Sequence, residues 1–98
     1  MRDEITAIVF AAIDELNETL DEKTPLAKEE SAIMQGEGAG IDSLDVANLL
    51  MFIEDRILAA KGVELDLLDA ELMSQSENPY RTVGTTIDTV LRALVAHA

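Results

Sequence analysis

The stretch "GIDSLDVANLL", Gly40 to Leu50, sets one serine between two aspartates where a glycine-punctuated region gives way to an apolar periodic run. With Asp42 as N-cap, its carboxylate can accept from the free N–H groups of a first helical turn. Asp45, three residues on, can return the bond as the other half of a capping box. Ser43 then falls at the first helical position, where its hydroxyl is not needed as the cap and is free to face solvent. Beyond it Val46, Leu49, Leu50, Ile53 and Ile57 recur at steps of three and four, which predicts a helix from Asp42 or Ser43 to near Gly62, a residue suited to left-handed closure.

Working outward, Ile5, Ile8, Val9, Ala12, Leu16 and Leu20 predict a first helix over Asp3 to Leu20. Residues Asp21 to Ile41 lose the period and collect Pro25, Gly36, Gly38 and Gly40, so they read as a long first loop of about 20 residues. Leu26, Ile33, Met34 and Ile41 would pin that loop to the core, making it ordered but irregular. On the other side, "VELDLLDAELMSQ" offers Asp69 as an N-cap for a short third helix through Leu72 and Met73. "SENPYR" turns the chain at Pro79. From Thr82 the residues Val83, Ile87, Val90, Leu91, Leu94 and Val95 predict a last helix to the C-terminus. Four amphipathic stripes without a convincing strand pair call for an all-α fold, a four-helix bundle with three long helices and one short one, in a single domain over residues 1–98.

Composition narrows the partners. The chain has 98 residues, 20 of them acidic against 7 basic, and its net charge of -13 repels phosphate backbones and anionic lipids while attracting basic protein surfaces. Nucleic acid binding and membrane insertion are therefore not expected. No apolar run approaches the roughly 20 residues that cross a bilayer, and the acids of "MRDEITAIVFAAIDEL" come too early for a signal peptide, so the chain reads as mature and cytoplasmic. Cysteine is absent, which removes disulfides, thiolate metal sites and a cysteine nucleophile. Any thiol chemistry would have to be imported.

A phosphate ester on Ser43 would lie beside backbone N–H groups at the positive end of a helix dipole, a setting that favours negative charge by about 0.3 to 1 kcal/mol, although the flanking aspartates oppose it. The stretch "GAGIDSLDVANLLMFIEDRI" resembles the second-helix motif of acyl carrier proteins, in which D-S-L precedes an amphipathic helix bearing a methionine and an acidic pair. The four-helix plan, the long first loop, the acidity and the size agree with that family, so the likeness covers essentially the whole chain.

The resemblance implies that Ser43, between Asp42 and Leu44, is the attachment site for 4'-phosphopantetheine, donated by coenzyme A through a phosphopantetheinyl transferase. The thiol of that arm would hold acyl groups as thioesters, and the protein would be a non-catalytic carrier. It further implies docking of the second helix, through Leu44, Asp45, Ala47, Asn48, Met51, Glu54 and Asp55, on basic patches of enzymes that load, modify and transfer the acyl group. Asn48 and Ala47 depart from the more acidic and bulkier residues common there, and leave the choice of partners open. "DAELMSQSENPYRTVGTT" is longer and more polar than the corresponding link in a housekeeping fatty-acid carrier. It is similar to stretches in specialised, free-standing carriers, which implies a dedicated lipid, polyketide or related pathway. The carrier is expected to act as a monomer.

Ile33, Phe52, Ile57, Leu58, Leu68, Leu72 and Val90 are candidates to line an apolar cleft for cargo, or else simply core. An aminoacyl or peptidyl carrier, and an unmodified acidic interaction module with the same second-helix face, are the alternative functions. A Ser43-His97-Asp88 triad is not expected, since His97 lies at the chain end and "GIDSLD" lacks the G-x-S-x-G elbow. Calcium-loop spacing is also missing, so Asp21, Glu22, Glu29 and Glu30 read as solvated surface, with weak divalent binding open.

Overall fold

A computed structural model describes residues 2–20, 25–35, 40–67 and 80–97, with the side chains of Ser43 and His97 outside that description. Three helices appear among the described residues: α1, Arg2–Asn17; α2, Ser43–Lys61; and α3, Val83–His97. The short helix expected at Asp69 to Met73, the turn at Pro79, and Gly36 and Gly38 of the first loop lie outside the described residues.

In α1, Ile5, Val9, Ala12, Ile13 and Leu16 form one buried face, while Asp3 and Glu4 place negative charge in the first turn, where the helix dipole favours it. The helix stops at Asn17, three residues short of the expected Leu20. The Thr19 hydroxyl donates to the Leu16 carbonyl at 2.7 Å, and the Thr19 N–H takes the same oxygen at 2.9 Å, tightening the chain out of the α-helix. Leu20 remains in the core from beyond the helix end, so the apolar period outlasts the helix that it predicts.

The two other helices are closed by their own sequence. In α2, Asp42 and Asp45 form the expected capping box, and Gly62 at φ 68° closes the end with its N–H on the Leu58 carbonyl. In α3, Thr82 and Thr85 cap each other: the Thr85 N–H donates to Thr82 Oγ1 at 3.1 Å and the Thr82 N–H to Thr85 Oγ1 at 3.0 Å. Its buried face holds Val83, Thr86, Ile87, Thr89, Val90 and Leu94. The two buried threonines are satisfied by donating back to Thr82 O at 2.9 Å and Thr85 O at 2.8 Å. Val95, expected on this stripe, is instead exposed.

Helix α1 is the hub, packing against both α2 and α3, which do not themselves approach within 8 Å between Cα atoms. Each fully buried Leu, Ile or Val of the shared core removes about 1.5–3 kcal/mol of apolar surface from water. Tyr80 is also completely buried, an aromatic side chain that the turn-like setting "SENPYR" does not announce.

The first loop behaves as its apolar residues require: Leu26, Met34 and Ile41 are buried and Ile33 half-buried. Its backbone is also tied down. The Asn17 amide exchanges two bonds with Leu26, donating to its carbonyl at 3.0 Å and accepting from its N–H at 2.9 Å. Farther along, the loop docks on the start of α3. Val83 N–H donates to Ala32 O at 3.0 Å, Gly84 N–H to Glu30 O at 2.8 Å, and Met34 N–H to Arg81 O at 2.7 Å, around an isolated antiparallel bridge between Ile33 and Thr82. Gly84 permits this closeness, since a Cβ there would stand 3.0 Å from Glu30 O. Arg2 then pairs with both Glu30 and Asp88, joining α1, the loop and α3.

Candidate functional site

The start of α2 is built by two carboxylates. Asp42 Oδ1 accepts from the Asp45 N–H at 2.9 Å, and Asp45 Oδ2 accepts from the Asp42 N–H at 3.2 Å. Because Asp42 is the cap, Ser43 is the first residue of the helix proper. The position of its hydroxyl falls on a side chain outside the described residues. Leu44 beside it is 68% exposed, so the chain surface next to Ser43 is open and apolar.

The expected docking residues divide into three groups. Leu44, Met51 and Asp55 are exposed; Ala47, Asn48 and Glu54 are half-buried; and Asp45 is buried at 7% exposure. Asp45 therefore offers a partner little surface, its carboxylate being engaged in the cap. Glu54 is also turned to internal use, since its Oε2 accepts from the Leu67 N–H at 2.7 Å. The Tyr80 hydroxyl donates to the Leu67 carbonyl, so both backbone groups of Leu67 are held, one from α2 and one from the residue range leading into α3. Burial, then the nearby Glu54 and Asp66 charges, raise the Tyr80 phenol pKa well above its ordinary value.

The basic residues of α2 point towards α1. Arg56 pairs with Glu15 at 3.8 Å and Lys61 with Glu4, whose carboxyl the Lys61 ammonium holds below the usual glutamate value. Among the described residues no cation pairs with Asp55. The open side of α2 thus stays acidic while its inner flank is neutralised.

The cleft candidates do not behave as one group. Ile57 and Val90 are fully buried core, Ile33 and Phe52 are half-buried, Leu58 is 44% exposed, and Leu68 and Leu72 lie outside the described residues. Leu58 instead lines a surface groove of about 480 Å³ with Glu54, Asp55, Glu64, Leu65 and Asp66. The recurrence of Leu44, Met51 and Leu58 at successive seven-residue steps was the available signal that Leu58 shares their face. Of the scattered acids, Glu29 and Glu30 are exposed, with Glu30 paired to Arg2, and Asp21 and Glu22 lie outside the described residues. Asp88 is likewise paired with Arg2. Among the described residues no helix is long and apolar enough to cross a membrane.

Compared with known proteins, the chain matches no family model, no curated protein and no solved structure.

Proposed function

We propose that this chain is an acyl carrier protein, a four-helix bundle of that type with a short third helix, in which Ser43 carries 4'-phosphopantetheine. The observation that carries the reading is the Asp42–Asp45 capping box, because it relieves Ser43 of the capping role and sets it at the first position of a long amphipathic helix. Asp42 and Leu44 flank the attachment point, Asp42 as an exposed residue and Leu44 as an exposed apolar one.

The group supplies a thiol that a cysteine-free chain lacks, and with it the capacity to hold an acyl group as a thioester. The chain's own part is presentation. α2 holds Ser43 at its tip, α1 braces α2 through the core, and the acidic open face addresses basic enzymes, first the phosphopantetheinyl transferase and then those that load, modify and transfer the acyl group. In this role the chain is a substrate of enzymes and not itself a catalyst.

Incubation with coenzyme A and a broad-specificity phosphopantetheinyl transferase tests the reading by intact mass. A gain of one phosphopantetheine that Ser43→Ala abolishes is the expected result. An unchanged mass would leave the acidic interaction module, for which the exposed apolar residues of α2 speak independently of Ser43. Loading by an amino-acid-adenylating ligase in place of an acyl donor would identify an aminoacyl carrier.

A further inference from the structure

The flank where α1 and α2 meet carries a groove of about 460 Å³ lined by Ala7, Ile8 and Ala11 of α1 and by Ala59 and Ala60 of α2, with Glu4 and Arg56 at its borders. Ala7, Ala59 and Ala60 are exposed, and Ile8 and Ala11 half-buried. Side chains this short let another helix approach to about 8 Å between axes. The charges along the groove are ordered. Lys61 pairs with Glu4 and Arg56 with Glu15, so the α1 edge bears an acidic row and the α2 edge a basic one. On a chain whose net charge is -13, these four side chains sum to zero. The Arg56–Glu15 pair is also loose: at 3.8 Å it is longer than a hydrogen bond, and Arg56 Nε is buried with no hydrogen-bond partner among the described residues. The guanidinium therefore retains donors for a further carboxylate.

Charge selects the occupant. A uniformly basic or uniformly acidic partner would be attracted at one edge and repelled at the other. The surface that matches must itself bear one acidic and one basic row at this spacing, and a second copy of this flank does. Glu4 at the start of α1 meets Lys61 at the end of α2, so the two helices run in opposite directions. With a twofold axis running along the groove, α1 of each copy lies against α2 of the other. Glu4 then faces Lys61 and Glu15 faces Arg56, twice over by symmetry. An axis across the groove would instead set Glu4 against Glu15, acid on acid.

We infer that the groove between α1 and α2 is the interface of a reversible homodimer, in which the acidic row of α1 meets the basic row of α2 of the facing copy across the alanines. A flank of this size buries less than the roughly 800 Å² per partner of a stable complex, so the dimer is weak and the chain is a monomer when dilute. The axis keeps the two α2 helices parallel. Both Ser43 positions therefore emerge at the same end, about 24 Å along α2 from Ala59 and clear of the contact. The inference does not depend on what Ser43 carries.

Sedimentation equilibrium of the full chain, in about 0.15 M salt to screen its net charge, reads the association from about 10 μM to about 1 mM. The parent should pass from monomer to dimer within that range. Glu15→Lys sets lysine against Arg56 of the facing copy, and Arg56→Glu sets glutamate against Glu15, so each variant alone should dimerise about tenfold more weakly or worse. An equal mixture of the two should restore association as a heterodimer, because Lys meets Glu and Arg56 meets Glu15 only between unlike copies. Ala59→Gln should also weaken the dimer, and Leu44→Gln, on the outer side of α2, should leave it unchanged. Circular dichroism establishes that each variant is folded, and the pair Glu4→Lys and Lys61→Glu replaces one that is not. A parent chain that stays monomeric at about 1 mM would overturn the inference. So would a mixture that associates no more tightly than either variant alone, or a dimer that Leu44→Gln dissolves and Ala59→Gln does not. Sedimentation takes no account of the prosthetic group, so failure here and failure of the transferase assay are separate results.

Discussion

Asp42 and Asp45 cap each other's backbone across the first turn of α2, at 2.9 and 3.2 Å, so a pair of aspartates closes the start of this helix. Replacing Asp42 by alanine should cost about 0.5–2 kcal/mol of stability, while asparagine, an equally good cap, should retain most of it. Urea denaturation of the two variants measures the difference. Equal loss in both would mean that charge, and not the cap, is what Asp42 contributes.

Glu54 and Leu67 give a second prediction. A hydrogen bond to a charged acceptor contributes about 1.5–3 kcal/mol, so Glu54→Ala should destabilise the fold by roughly that amount, and Glu54→Gln, which keeps an acceptor oxygen, by much less. If Glu54 served chiefly as an outward-facing charge, both variants would fold like the parent.

Tyr80 is fully buried with its hydroxyl on Leu67 O, and its phenol pKa is raised in the folded state. Its contribution is therefore complete below the unfolded phenol pKa of about 10 and is lost as pH rises from there towards the folded value. Tyr80→Phe should cost about 0.5–1.5 kcal/mol at neutral pH, and the gap to the parent should close above pH of about 10. Chemical denaturation at pH 7 and at alkaline pH reads both effects.

Glu4 behaves in the opposite sense. Lys61 lowers its pKa, so the pair's contribution is present above the ordinary glutamate value of about 4.3 and fades as pH falls through the lower folded value. A Glu4→Gln variant, compared with the parent across pH 2 to 7 (a range of about five units), should show a small difference that is flat near neutrality and vanishes in acid. Because the pair is exposed, 0.5 M salt, on the order of a few Å in screening length, should also erase it.

The parts of this molecule that depend on neighbours in sequence were legible from it. The Asp42–Asp45 cap, the Gly62 closure and the buried faces of the helices follow from residues three or four apart, and the four apolar residues of the first loop sit in or against the core as their chemistry demands. The parts that depend on distant partners were not. Nothing local distinguishes Glu54 from Asp55, yet one bonds Leu67, thirteen positions away, and the other faces outward. Tyr80 looked like a turn residue because its burial depends on Leu67 and the core. Leu58 and Val95 continued apolar patterns, and packing leaves them 44% and 64% exposed. Leu20 shows the converse, a residue whose burial persists after Thr19 has ended the helix.

The most direct measurement is fragment-ion mass spectrometry of the chain after treatment with coenzyme A and a phosphopantetheinyl transferase, assigning any added group among Ser31, Ser43, Ser74 and Ser76. A single phosphopantetheine on Ser43 is the predicted result. A chain left bare, or one modified at another serine with Ser43 untouched, would contradict the carrier function.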